Sequence, residues 1–309
     1  MSLGRDGNRA IAFAVIAAVL FAVMNATIKL FSPRYSTGQI LFLRNLLALA
    51  PACLVLMLVG ARALRTERLG AHVLRSFFGI SSMFCLFASF RSMRLTDALA
   101  INFMAPLILT VLSKIVLRDP VGPLRWTAVA MGFCGVLMIV RPGVGVFQWA
   151  AVLALLSALF NAMGLLAVRQ LGATEAAATT LFYFSAAAAV FTAPAAVPGW
   201  QPVPVADAPG FLVIGLTGGA AQYFTIEALR LARPSVVTPV QYTLLVWVGI
   251  LDLVLWSAAP DAPAMLGIAL ILVGSATVLV PAAAGTPPVA AQRSTKPRSR
   301  SRQTSNGPP

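Results

Sequence analysis

Long apolar segments separated by short polar stretches form the dominant pattern of the chain. A membrane-spanning helix needs about 20 mostly apolar residues, because the hydrocarbon core is about 30 Å thick and a helix rises about 1.5 Å per residue. The segments carry few charges and show no sustained two-residue alternation, which favours helices over an outer-membrane barrel. The pattern predicts ten spans, at about residues 11–31, 38–60, 72–92, 96–117, 124–141, 147–169, 176–197, 209–230, 235–257 and 263–281.

Composition points to the same class of protein. Hydrophobic residues make up 59% of the chain and charged residues 10%, with only nine acids among 309 residues. Soluble domains average about 45–50% apolar and about 25% charged residues. These values exclude an ordinary soluble enzyme and a mainly disordered chain, which would need low hydrophobicity. The sequence therefore predicts an all-α polytopic membrane protein.

The net charge of +14 indicates how the chain is oriented in the membrane rather than that it binds nucleic acid, because the basic residues lie between apolar segments. With the N-terminus inside and ten spans, sixteen Lys and Arg residues fall on the inner side and five on the outer side. The positive-inside rule then places both termini in the cytoplasm, with the chain in the cytoplasmic (inner) membrane. The tail over 283–309 is rich in Pro, Ser and Arg, so we expect a disordered cytoplasmic segment that anionic lipid attracts.

The two halves of the chain resemble each other at a shift of 136–139 residues. Met24 in the first span matches Met163 in the sixth, and Gly135 matches Gly274. Because each half holds five spans, the second copy enters the membrane from the opposite side. The sequence therefore predicts two inverted five-helix repeats. The domains are a cytoplasmic N-terminus (1–10), a first repeat (11–143), a second repeat (144–282) and the basic tail (283–309).

Several short motifs of the first half resemble the EamA-type repeat of the drug/metabolite transporter superfamily. They are the stretch from Asp97 to Pro106, Leu117-Arg118-Asp119, Arg125-Trp126 and the stretch from Gly135 to Gly143; the second copy runs from Gln241-Tyr242 through Gly267 and Gly274. The resemblance covers about residues 10–282. It implies a ten-helix, inverted-repeat transporter of small metabolites, amino acids or drugs. Asp119 departs from the Glu usual at that place, and the second repeat matches more loosely there.

Polar residues inside apolar spans are costly and are therefore candidate sites. We expect a central cavity lined by spans 1, 3, 4, 6, 8 and 9, with small-molecule substrate as the partner. The candidate substrate-binding residues are Asn25, Arg44, Asn102, Asn161, Tyr223, Gln241 and Tyr242.

For most of these residues, both a substrate-binding role and a structural role stay open. Arg44 is suited to bidentate pairing with a substrate carboxylate or phosphate. Alternatively, its side chain snorkels to the outer interface. The resemblance also allows a role in the fold, since the family often has Arg at this position. Asn25 and Asn161 would lie on opposite walls and bind substrate, or they join helices. The aromatic and amide groups of span 9 line a mixed cavity or simply pack. Pro106 is a candidate kink that frees a backbone carbonyl near Asn102.

Two embedded carboxylates are candidates for proton coupling. Glu227 lies close to Arg230, so a salt bridge is the simpler role. Asp252 lies in the outer half of span 9, and Lys29 is expected at similar depth. Desolvation of either carboxylate would favour its protonated form.

Chemistry of other kinds finds little support in the sequence. No Walker-type phosphate loop occurs, no cofactor is implied, and the single His72 excludes a multi-histidine metal site. The sequence predicts a non-enzymatic secondary transporter. The alternatives are an integral-membrane enzyme acting on lipid, or a non-transporting scaffold whose basic tail recruits a partner. Substrate, direction of flux, coupling and oligomeric state stay open.

Overall fold

The computed structural model describes residues 5–59, 69–116, 122–140, 149–171, 177–232 and 234–279. Regular secondary structure in this part of the chain is entirely helical, as the apolar pattern predicts. The helices are α1 (Arg5–Phe31), α2 (Thr37–Val59), α3 (Leu69–Ser89), α4 (Leu95–Asn102), α5 (Ala105–Val116), α6 (Pro123–Val140), α7 (Trp149–Leu171), α8 (Ala177–Ala196), α9 (Ala208–Leu231), α10 (Pro234–Gln241), α11 (Thr243–Trp256) and α12 (Ala262–Leu279). The basic tail lies outside the described residues.

Six helical stretches are long and apolar enough to cross a membrane. They are Asp6–Phe31, Leu95–Val116, Pro123–Val140, Trp149–Leu166, Ala208–Leu231 and Val236–Trp256. Four further apolar helical stretches lie within α2, α3, α8 and α12: Thr37–Ala50, Val73–Ser89, Phe182–Ala196 and Ala262–Thr277. Large apolar side chains such as Val254 (70% exposed) and Leu124 (66% exposed) point away from the bundle, as a lipid-facing surface requires.

Two predicted spans, 96–117 and 235–257, correspond to the apolar stretches Leu95–Val116 and Val236–Trp256, and each of these stretches is interrupted near its middle. The first break lies at Phe103 and Met104, and the second at Tyr242. At both breaks the backbone tightens into i→i+3 hydrogen bonds, for example from the Leu107 amide to the Met104 carbonyl at 2.9 Å. Pro106 lacks an N–H and cannot continue the ladder, so the interruption falls just before it.

The helices pack in pairs that join distant parts of the chain. The most extensive pairs are α1 with α9, α2 with α8, α3 with α7 and α6 with α12. The closest approach of α6 and α12 is made by Gly135 and Gly267, where an added methyl on either residue would lie 2.5 Å from the other's carbonyl oxygen. Small residues at the contact therefore bring these two backbones together.

Candidate functional site

One end of the bundle is held together by charged and polar contacts, and we call it the charged end. It comprises the end of α1, the starts of α2, α4 and α9, and the end of α11. Asp252 is its most buried carboxylate, with no exposed surface. Its two oxygens accept hydrogen bonds from Lys29 Nζ at 3.2 Å, the Thr96 amide at 2.9 Å, Thr96 Oγ1 at 2.8 Å and the Leu95 amide at 3.3 Å.

Asp252 of α11 caps α4 from outside that helix. Arg94 occupies the N-cap position of α4 and makes no capping bond with its side chain. The first amides of a helix lack intrahelical partners and favour a negative charge, which Asp252 supplies. Lys29 completes the arrangement, since its ammonium also lies 4.4 Å from the centre of the Trp256 ring. The cluster thus links α1, α4 and α11.

The α1–α2 turn is fastened to the segment before α9. The Tyr35 hydroxyl donates a hydrogen bond to the Asp207 carboxylate, which also pairs with Arg34 at 2.8 Å. Burial, followed by the Asp207 carboxylate, raises the pKa of Tyr35, so the hydroxyl remains a donor. Gln39 exchanges two hydrogen bonds with the Gln201 backbone, at 2.6 and 2.9 Å. At the charged end, these contacts join the α1–α2 turn and the start of α2 to the segment before α9.

A second polar cluster lies between α3, α4 and α7. Asn102 donates to Ser157 Oγ at 2.7 Å and accepts from Asn161 at 3.3 Å. Ser82 donates to the Ser157 carbonyl at 2.9 Å. The structure therefore brings together two of the candidate residues, Asn102 and Asn161, and adds two serines.

The two helix breaks lie side by side. The ring of Phe103, next to Asn102, meets the ring of Tyr242 edge-on with centroids 5.0 Å apart. The Phe103 carbonyl, freed at the break, accepts a hydrogen bond from Ser275 of α12 at 2.9 Å. Broken helices are tolerated at membrane depth where neighbouring groups satisfy the backbone in this way. Tyr242 and Asn102 therefore belong to one region at the middle of the bundle.

Arg44 lies elsewhere, between α2 and α9. It is 1% exposed, and its Nη1 donates to the Asn45 side-chain oxygen at 2.6 Å. A methyl added to Gly218 of α9 would lie 2.9 Å from Arg44 Nε and 2.7 Å from Met24 Sδ, so α9 needs glycine to pass this side chain. Asn25, beside Met24, is 3% exposed.

The remaining candidates have simple partners or positions. Glu227 pairs with Arg230 three residues later at 2.9 Å, as the sequence suggests. The Tyr223 ring packs against Phe224 with centroids 5.7 Å apart. Gln241 is the last residue of α10 and is half-buried. Pro106 is the second residue of α5, and its carbonyl accepts from Thr110 Oγ1 at 3.0 Å.

A cavity of about 330 Å³ lies between α2, α3, α7 and α8. Its lining is mostly apolar and includes Leu41, Phe77, Phe84, Phe160 and Phe191. It differs from the expected central cavity, because it uses the second and seventh predicted spans and none of the ninth.

Comparison with known proteins identifies the family. The model of the EamA-like transporter family matches the chain twice, over residues 8–141 and 148–280. The chain is 28% identical to the pseudopaline exporter of Pseudomonas aeruginosa over 84% of its length and 92% of that protein. It is 26% identical to a riboflavin transporter of Vibrio cholerae, over 85% of the chain and 90% of that protein.

Two further similarities agree with this assignment. An S-adenosylmethionine uptake transporter of Rickettsia prowazekii is 24% identical over 69% of the chain and 72% of its own length. A crystal structure with 18% sequence identity superposes with a TM-score of 0.62, covering 87% of this chain and 96% of the other, and supports the fold alone. Since the family model covers most of the chain, the chain belongs to the EamA-like transporter family.

Proposed function

We propose that this protein is a secondary transporter that moves a small metabolite across the cytoplasmic membrane by alternating access of two inverted five-helix repeats. The first repeat is α1 to α6 and the second α7 to α12, with the broken helices α4–α5 and α10–α11 as the fourth and ninth spans. The similar proteins named as transporters of pseudopaline, riboflavin and S-adenosylmethionine support a small-molecule substrate. The enzyme and scaffold alternatives are not favoured.

The observation that carries the proposal is the symmetry of the helix contacts. Exchanging the two repeats turns the α1–α9 pair into the α7–α3 pair, while the α2–α8 and α6–α12 pairs turn into themselves. A constant shift of 139 residues also relates the two closest α6–α12 contacts. It converts the Gly135–Gly267 contact into the contact of Gly274 with Ala128. Such a pattern is expected of two copies related by a two-fold axis.

The helix breaks fit the same shift. Residue 103 becomes residue 242, so Phe103 is the repeat counterpart of Tyr242, and their ring contact lies on the proposed axis. Discontinuous helices that meet near the middle of a bundle are a recurrent setting for substrate sites in transporters.

The charged end corresponds to the outer side in the proposed orientation. Its contacts fasten α1, α4, α9 and α11 to one another, so this arrangement is closed towards the outside. At the opposite end, the described ion pair between Glu227 and Arg230 lies within one helix and joins nothing else. We therefore interpret the structure as a state that is closed towards the outside.

The transport proposal is tested with purified protein in sealed vesicles. Vesicles loaded with one solute are diluted into radiolabelled riboflavin, S-adenosylmethionine or single amino acids, and accumulation is compared with protein-free vesicles. We expect accumulation of at least one class of solute. Absence of flux for the whole panel in either direction, together with product formation from lipid in detergent, would favour the enzyme alternative instead.

We expect Asn102→Ala to reduce transport at least tenfold while leaving the fold intact. The change removes the hydrogen bonds to Ser157 and Asn161 and leaves both partners without this bond, at a cost of about 1–3 kcal/mol. Thr127→Ala in α6 is the control, because its hydroxyl is exposed and bonds only the Leu124 carbonyl of its own helix. Equal transport rates for the two variants would argue against a substrate role for Asn102.

A further inference from the structure

Arg44 has an unused pair of hydrogen-bond donors in a buried position. Its Nε and Nη2 make no hydrogen bond in the described structure, and only Nη1 is engaged, by Asn45. Nε and Nη2 are the two N–H groups on one edge of the guanidinium, the edge that binds a carboxylate through two parallel hydrogen bonds. A buried cation without a partner is costly, so this edge needs an explanation.

Five of the six acids of the described part are engaged elsewhere, and the sixth, Asp6, lies in the first turn of α1. Asp97 and Asp261 pair with Arg94, and the other ion pairs described above use Asp207, Glu227 and Asp252. No ion pair in the described residues joins Arg44 to a carboxylate. The Asn45 side-chain nitrogen, also a donor, is likewise buried without a hydrogen bond. The region around Arg44 thus holds more donors than the protein satisfies.

The residue that a shift of 139 relates to Arg44 is not a cation. This shift takes Arg44 to Tyr183 and Gly218 to Gly79. Where Gly218 faces the Arg44 guanidinium, Gly79 faces the ring of Phe184, one place after Tyr183, whose Cε2 would lie 2.9 Å from an added methyl. The related contact between helices is therefore made by an aromatic ring.

We propose that Arg44 binds a carboxylate, or another oxyanion of similar shape, on the transported solute through Nε and Nη2. The Asn45 amide donates a further hydrogen bond to the same group. In the closed arrangement of the charged end α9 covers this edge, and separation of α2 from α9 admits the solute. This inference rests on the proposed transport function and narrows its substrate to organic anions and zwitterions.

Thermal stability tests this proposal without any transport assay. The probes are succinate and glycerol 3-phosphate at 10 mM, with succinamide and glycerol as uncharged counterparts and inorganic phosphate as the free ion. We expect at least one organic anion to raise the melting temperature of the detergent-purified protein, and its uncharged counterpart to leave it unchanged. Stabilisation by inorganic phosphate alone, or by no anion, would overturn the proposal.

Substitutions test whether the probe-induced rise in melting temperature depends on Arg44. Arg44→Met removes an uncompensated charge, so we expect a melting temperature about 3 °C higher without probe and no probe-induced shift. Arg44→Lys keeps the charge but loses the paired donors, and should need about tenfold more probe. Arg75→Met is the control, since Arg75 lies 5.7 Å from the Phe184 ring and should leave the probe response unchanged. A lower melting temperature for Arg44→Met with an unchanged probe response would mean that Arg44 only supports the fold.

Vesicle experiments separate this proposal from the function on which it rests. Flux of uncharged solutes alone would overturn the anion site and leave the transporter intact. Flux of anionic solutes that Arg44→Lys reduces at least tenfold would support both. Absence of all flux, with the anion-induced shift present, would contradict the transporter and keep Arg44 as an anion-binding residue.

Discussion

Replacing Asp252 with alanine is expected to lower the free energy of unfolding by about 3–5 kcal/mol, the largest effect of any single substitution considered for this protein. Lys29, whose side chain is 13% exposed, would lose its counter-ion. The amides of Leu95 and Thr96 at the start of α4 would lose their acceptor at the same time. Each orphaned donor adds a desolvation penalty, and no other capping group is available on Arg94.

The matched control is Glu227→Ala. It removes the other embedded carboxylate that the sequence offers for coupling, but Glu227 pairs with an Arg230 side chain that is 56% exposed, three residues away on the same helix. Such surface pairs contribute about 0–1 kcal/mol. Reversible unfolding of both variants in mixed detergent micelles measures the difference. Similar losses for the two variants would contradict a structural role for Asp252 at the charged end.

A double variant separates the ion pair from the helix cap. Lys29→Met combined with Asp252→Asn removes both charges and keeps a side-chain acceptor for the α4 amides. We expect it to recover most of the stability lost in Asp252→Ala, since replacing both members of a buried pair is often nearly neutral. The recovered variant should also open more readily at the charged end. Transport by this double variant that no longer depends on pH, where the wild type does, would instead favour proton coupling through Asp252.

The sequence predicts the helical class of this protein well because a lipid-facing helix must be apolar along its whole length. The same uniformity hides the breaks at Phe103 and Tyr242. Asn102 precedes the first break, and Gln241 and Thr243 flank the second, but the longer segments on both sides of each break are apolar, so a hydropathy average shows each span as continuous. Pro106 gives a partial signal for the first break, although the interruption lies before the proline, at a place set by the i→i+3 bonds.

The sequence predicts the membrane depth of a side chain better than it predicts the residues that the side chain contacts. Lys29 and Asp252 are expected at similar depth from their places in two apolar spans, and the structure pairs them. The role of Asp252 as a cap for α4 is not visible in sequence, because it depends on how α11 lies against a helix more than 150 residues away. Membrane depth follows from spacing along one helix, whereas partners follow from packing.

Ser82 and Ser157 are missed for a different reason. Hydroxyl residues are common in apolar helices, where most bond a carbonyl of the preceding turn and need no other partner. Thr110 and Thr192 do so with Pro106 and Ala188. Only the packing of the helices distinguishes the two serines: their hydroxyl oxygens lie 3.1 Å apart, and the Asn102 amide donates to Ser157 Oγ at 2.7 Å.

The second large effect is expected at the contact between α6 and α12. Gly135→Ala would place a methyl group 2.5 Å from the Gly267 carbonyl oxygen and 2.9 Å from Ile271 Cγ1. A backbone oxygen cannot turn aside as a side chain does, so the helices must separate. We expect a loss of about 2–3 kcal/mol in the free energy of unfolding, the upper part of the range for overpacking.

Two further glycine variants make this prediction specific. Gly164→Ala in α7 is the control, because its added methyl would lie 3.7 Å from the nearest atom and alanine favours the helix. Gly267→Ala is expected to cost about as much as Gly135→Ala, because its added methyl would lie 2.5 Å from the Gly135 carbonyl oxygen and 2.9 Å from Ile139 Cγ1. At the neighbouring contact of the same two helices, an added methyl at Gly274 would lie 2.8 Å from the Ala128 oxygen. A loss for Gly135→Ala no larger than that for Gly164→Ala would contradict the close approach of α6 and α12.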